Sequence, residues 1–257
     1  MNHQHLFQFK TDISDIYVSG KLNNPFGYFV PRIAQVAALE LQEFIALESN
    51  SWNHDLNTER GKMFGVLVVQ MPDESYAYVA AVSGNLLGEA TCEEFVPPIF
   101  DETLDNHFLD RGMTELSEIN TQIKSSDDAA KIAILKEQRR NKSFALQQKL
   151  FESYDFLNVK GEQKNVLKIF EQYTRDYPPA AAGDCAAPKL LQYAFANSLK
   201  PIAIAEFWWG IPSKDEEREH LEFYPSCTKK CRPILEYMLG DKDLYLRGGT
   251  KSESGAA

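Results

Sequence analysis

No part of the chain approaches the roughly 20 consecutive apolar residues that a membrane-spanning helix requires, and the start MNHQHLFQFKTDISD lacks the charged-then-apolar order of a secretion signal. Cysteine is scarce. Four in 257 residues are too few for a disulfide scaffold. Positive charge is also short, with 27 Lys and Arg against 37 Asp and Glu and a net charge of -10. That balance argues against broad attraction to a polyanion and leaves only local basic patches for such a partner. No internal repeat of solenoid period is present. These absences lead us to expect a cytoplasmic protein with no membrane segment, whose reduced thiols are left for metal or core roles.

What is present is enough apolar content, 44% of residues, for one sizeable core carrying an insertion. In PRIAQVAALELQEFIALES, residues Ile33, Val36, Ala37, Glu40, Leu41 and Phe44 recur at helical steps, and Pro31 suits a first-turn position. KMFGVLVVQ and YAYVAAVSG, separated by the turn-forming MPDES, predict a β-hairpin. GEATCEEFVPPIFDETLDNHF reads as irregular, because Pro97 and Pro98 interrupt helix and central strand alike. From Thr114 to Tyr173 the composition turns to long charged helix without proline, broken only near Gly161.

After YPPAAAGD come a predicted helix CAAPKLLQYAFANSL, a strand PIAIAEFWWG, a polar loop and a second helix beginning near CTKKC. The expected organisation is therefore an α/β (α+β) fold, a small sheet flanked by helices. Residues 1–107 form its first part, 108–176 a helical arm, 177–240 the cysteine-bearing part, and 241–257 a disordered polar tail.

Cys185, Cys227 and Cys231 fall at predicted helix starts. A helix N-terminus carries partial positive charge and free N–H groups, which favour the thiolate that zinc requires. Three ordinary core thiols, or a redox site, are the competing readings. Helical neighbours four apart hold their Cβ atoms about 5 to 6 Å from one another, beyond the ~3.8 Å of a disulfide, so Cys227 and Cys231 read better as joint ligands of one ion.

Helix with a ligand, strand, then helix opened by Pro-x-Cys is similar to the layout of zinc nucleobase deaminases. Two departures matter. Ala187 stands where those enzymes place their catalytic Glu, and the pair reads PSCTKKC, Cys-x-x-x-Cys with an additional residue before it, rather than Pro-Cys-x-x-Cys. Glu206, at the end of the apolar strand, is a candidate replacement acid. His220 and Glu222 in a charged loop, and Trp208 and Trp209, read most simply as surface and packing residues. Cys92 has no evident partner.

Six basic residues against one acidic lie between Lys131 and Lys149. Of these, Lys131, Arg139, Arg140 and Lys142 are candidate RNA contacts, as are Lys229, Lys230 and Arg232 beside the second cysteine motif. A solvated helix face is the plainer reading of the first group. A protein-docking surface built on apolar positions such as Ile132, Leu135 and Leu146 is a third.

In order along the chain, NNPFGYFVPRIAQVAALELQEFI, GKMFGVLVV, AAVSGNLLG, FVPPIFD, EINTQI and GDCAAPKLLQYAFANSLKPIAIAEFWWG followed by FYPSCTKKCRPILEYML resemble the N-terminal accessory region of long bacterial RluA-type RNA pseudouridine synthases. The match runs from Asn23 to Leu239. It implies an RNA-modification setting, with ribosomal or transfer RNA and a pseudouridine synthase catalytic domain as partners. The family's catalytic stretch, an Asp between an Arg-Leu pair and a Thr-Ser-Gly-like sequence, has no counterpart here, so this chain is not expected to isomerise uridine itself. Three function readings therefore stand side by side: a noncatalytic zinc-holding accessory module, a zinc-dependent deaminase or hydrolase with a displaced carboxylate, and a protein-interaction scaffold that docks through the helical arm.

Overall fold

The computed structural model describes residues 5–49, 52, 56, 61–84, 86, 92–100, 108–213 and 217–240, together with the short strand Tyr245–Leu246. Its class is α+β, as the sequence leads one to expect. The centre is an antiparallel four-stranded sheet in the order β1 (Phe7–Gln8), β4 (Tyr76–Val82), β3 (Lys62–Gln70), β7 (Lys200–Trp209). The predicted hairpin is β3–β4, its turn closed by Met71 N–H donating to the Ser75 carbonyl at 2.8 Å. The register of β3 with β7 slips between Val68 and Val69, where the partner is Pro201. A residue without an N–H cannot continue a ladder, and strand irregularities form at such points.

Both sheet faces are covered, which is why β3 and β4 read as continuous apolar runs rather than alternating ones. Phe64, Val66, Val68, Tyr78 and Ala80 turn to helix α1 (Arg32–Glu48) and its Ile33, Ala37, Leu41 and Ile45. The charged residue in that apolar stripe, Glu40, is buried. Its carboxylate accepts from the Lys10 and Thr11 N–H groups and the Tyr78 hydroxyl, tying the N-terminal segment across the sheet. Leu67, Val69, Ala77, Val79 and Ala81 on the other face pack with α5 (Ala186–Ala196) and α6 (Arg232–Leu239).

The inserted arm is an antiparallel pair, α2 (Phe108–Ser125) and α3 (Ala129–Glu152), with Asp128 capping α3 through the Ala130 and Lys131 N–H groups. A Cβ on Gly112 would come within 2.5 Å of Leu146, so the absent side chain lets the helices approach. The arm is shorter than the helical stretch expected up to Tyr173. After Glu152 the chain forms a hairpin, β5 (Asp155–Leu157) and β6 (Gln163–Asn165), turning near Gly161, and then α4 (Val166–Tyr173). Phe156, Val166, Ile169 and Phe170 belong to the main core. The periodicity of long helix therefore ends where these side chains become buried on the sheet.

The free edge of β7 is covered rather than exposed. Asn23, in β2 (Leu22–Asn23), uses its side-chain amide as a strand surrogate, accepting from Ile204 N–H at 2.8 Å and donating to the Ile204 carbonyl at 3.0 Å. Further along, Trp208 N–H donates to the Glu222 carbonyl and Tyr224 N–H to that of Glu206. The tail expected to be disordered lies outside the described residues except Tyr245–Leu246, which pairs in parallel with β2 as β8.

Candidate metal centre

Cys185 is the residue immediately before α5, in extended conformation, and its thiol makes no capping bond to the helix. Cys231 holds the same place before α6, where Pro233 near the start costs no hydrogen bond because the first-turn N–H groups lack partners anyway. Cys227 lies in the turn leading into that helix. The expected pairing of Cys227 and Cys231 on one helical face is thus replaced by a turn. In that turn the two sulfurs lie 3.3 Å apart.

All three sulfur atoms lie within 4.8 Å of one another, and together they could hold a metal ion. Even without one, the cluster is polarised. Hydrogen bonds from Cys185 and Cys231, helped by the Lys230 and Cys231 N–H groups, hold Cys227 as a thiolate far below its ordinary range. The hydrogen bond to Cys227 pushes Cys185 up, and hydrogen bonding to both neighbours does the same to Cys231. A divalent ion would replace those two shared protons and complete three thiolates. Among the described residues no carboxylate or His joins the three within that distance, so the protein offers a three-sulfur set.

One acid that acts electrostatically on the cluster is Glu206 on β7. It is 6% exposed, accepts from the Ser226 hydroxyl and the Ala187 N–H, and is raised from 4.5 to about 7, chiefly by burial and further by the Cys227 charge. Its place is prepared by the strand opposite. Gly65 of β3 pairs with Glu206, and a Cβ there would lie 3.0 Å from the Ala186 Cβ and 3.3 Å from the Glu206 Cγ. The helix position two after Cys185 carries Ala187, buried in the core, while a carboxylate reaches that N-terminus from the neighbouring strand. Glu206 and Ser226 also line a small recess with Asn24, Tyr28 and Tyr224.

On the other side of Cys185 lies a network that sequence reasoning missed. Asp184 accepts from the Tyr154 hydroxyl at 2.6 Å and is raised by burial, while its carbonyl takes the Gly84 N–H. Lys189, buried at 4% exposure and lowered by that burial, donates to the Val82 and Gly84 carbonyls. The only sequence signal for Lys189 was its place four residues after Cys185, inside a mostly apolar helix.

The remaining candidates separate. Lys229, Lys230 and Arg232 occupy the turn and helix start that carry Cys227 and Cys231, with Arg232 lying 4.9 Å over the Phe26 ring. Lys131, Arg139, Arg140 and Lys142 are exposed on α3 of the arm. There Lys142 meets Glu115, Arg140 meets Glu137 at 2.7 Å, and Arg139 donates to Asn120 at 3.0 Å. His220 accepts the Gly210 N–H, and Trp208 and Trp209 are buried, so these three serve packing. The Cys92 thiol bonds to the Glu94 carboxylate nearby and is pushed up to about 12, chiefly by burial.

No protein-family model, curated protein or solved structure matches this chain. The reading of the site rests on its own chemistry. Among the described residues, no helix is long and apolar enough to cross a membrane.

Proposed function

We propose that this chain is a noncatalytic, zinc-holding accessory module that helps an RNA pseudouridine synthase engage structured RNA of the ribosomal or transfer class. The observation that carries the reading is the convergence of Cys185, Cys227 and Cys231, with the two lysines of the cysteine turn and Arg232 beside it. Three soft sulfur ligands at this spacing suit zinc over harder ions. Binding there would fix the Cys227–Cys231 turn and so hold Lys229 and Lys230 as a rigid cationic surface for phosphate. The RNA-modification setting comes from the ordered blocks that resemble the accessory region of RluA-type synthases.

Metal content by mass spectrometry tests the first half. Purified without chelators, the wild type should carry about one zinc per chain, lost in Cys185→Ser and in Cys227→Ser. Metal-free wild type would remove the zinc assignment. Undetectable binding of ribosomal and transfer RNA at low salt would remove the RNA assignment, because phosphate contacts are strongest there.

A second reading is favoured by one observation, the buried Glu206 reaching the N-terminus of the Cys185 helix. Zinc held by three protein ligands lowers the pKa of a water in the fourth position, and a carboxylate nearby can take and return its proton. In that reading the chain is a zinc-dependent deaminase or hydrolase, with Glu206 standing in for the carboxylate that Ala187 lacks. Ammonia release from a panel of bases, nucleosides and RNA, absent in Glu206→Gln, would support it. No release from any of them would leave the accessory reading alone.

A further inference from the structure

The arm carries an open groove between α2 and α3 whose chemistry changes along its length. Near the root, Met113 and Phe144 are 56% and 53% exposed, and the Phe144 ring sits 5.4 Å from that of Tyr177, itself 42% exposed. Towards the tip come Lys136, Arg139 and Arg140 within little more than one helical turn. The Arg140–Glu137 pair is wholly on the surface, and such pairs contribute little and exchange readily with a stronger anion. Arg139 is steadied across the groove by Asn120, which leaves other guanidinium N–H groups to donate. Lys142, matched by Glu115, takes no part.

Over residues 108–152 eight basic side chains meet seven acidic ones, in a chain of net charge -10. Most of the molecule therefore repels a polyanion, and a phosphate backbone is confined to places where cations cluster. The cores of protein interfaces are depleted of charged side chains. Cations running into exposed aromatic rings instead suit a backbone track that ends on a stacking platform.

We propose that the arm groove binds single-stranded RNA, with Lys136, Arg139 and Arg140 on phosphates and the exposed rings of Phe144 and Tyr177 stacking on bases. This rests on the RNA-engaging reading above and assigns it a second surface, apart from the cysteine turn.

Fluorescence anisotropy on the full chain tests it, with a labelled short RNA single strand and a duplex of the same length. The single strand should bind more tightly than the duplex. Phe144→Ala and Phe144→Leu should each weaken single-strand binding about tenfold without changing its salt dependence, since leucine keeps the apolar volume and lacks the flat face. The double change Lys136→Ala with Arg140→Ala should lower the slope of log affinity against log salt by about 1.4.

Phe144→Leu binding like wild type would overturn stacking, as would equal affinity for duplex. Poly-glutamate binding with the same slope would show a general anion or acidic-protein surface in place of an RNA groove. RNA binding untouched by every arm variant and lost in Lys229→Ala with Lys230→Ala would sink this proposal alone. Wild type binding no RNA of any kind would sink the broader reading with it.

Discussion

The cysteine corner and the helical arm are built from opposite materials. In the corner, side chains of every polarity are buried and each is answered: Glu206 by Ser226 and Ala187, Asp184 by Tyr154, Lys189 by two carbonyls. Along the arm, buried residues are few, Phe108 and Ile119 on α2 with Leu135 and Phe151 on α3, and polar contacts are made in water. Low dielectric strengthens electrostatic terms in the first region, whereas solvent screens them in the second. Substitutions in the corner should therefore move stability and metal binding together. Those on the arm should move neither by much, and should change only what the arm touches.

The largest test of that contrast is the pH dependence set by Glu206. Its folded-state pKa of about 7 lies above the ordinary 4.5 of the unfolded chain, so between these values the folded state holds the proton more tightly. Stability contributed by the protonated acid is complete below about 4.5 and is lost as pH rises through 7. Glutamine cannot ionise. In metal-free protein, Glu206→Gln should gain on wild type by roughly 2 to 3 kcal/mol between pH 5 and pH 8, read from denaturant unfolding. Taking the difference between the two proteins removes the opposite contribution of Cys227, whose depressed pKa makes stability rise with pH over the same range. Parallel pH curves would mean that the carboxylate is not held protonated, and the corner would lose its claim to a low dielectric.

Next in size is Gly65. Its Cα faces the start of α5, and an added methyl at 3.0 Å from the Ala186 Cβ must push helix from strand. Gly65→Ala should cost about 1 to 3 kcal/mol, the usual range for overpacking. Because Ala186 follows Cys185, the same shift should weaken metal retention in competition with a chelator. Unchanged retention would show that the cysteines adjust independently of the sheet.

Much of this was legible in the sequence and some was not, for identifiable reasons. The hairpin was readable, its first strand to the residue and its second to within two, because β-rich runs bounded a turn of Pro, Asp and Ser, all local signals. The helix start at Cys185 was readable because the periodic run that follows it is apolar, whereas the second helix, expected from Cys227, begins only after Cys231 and leaves Cys227 outside it. The reversal at Gly161 was legible as a break but not as a hairpin, since its short strands owe their existence to Phe156 packing on distant residues. Glu206 was visible only as an acid at a strand end. Its burial depends on Gly65 across the ladder, a pairing over more than a hundred residues of sequence that no local pattern encodes. The basic residues of α3 were legible as a charge run, whereas their division into paired and available cations required the facing helix.

The smallest test returns to the arm. Asp128 accepts the Ala130 and Lys131 N–H groups at 2.9 and 3.2 Å and so satisfies donors that the first turn of α3 cannot pair internally. Asp128→Ala should cost about 1 kcal/mol, the common value for an N-cap. Helix nucleation is the unfavourable step, so the loss should fall on the first turns of α3 and appear as faster amide exchange there. Metal content should stay as in wild type, because among the described contacts the cap touches only its own helix and the Ser126 hydroxyl. A fall in metal content in this variant would couple arm to corner, and the two would then have to be treated as one cooperative unit rather than as a buried centre with a solvated extension.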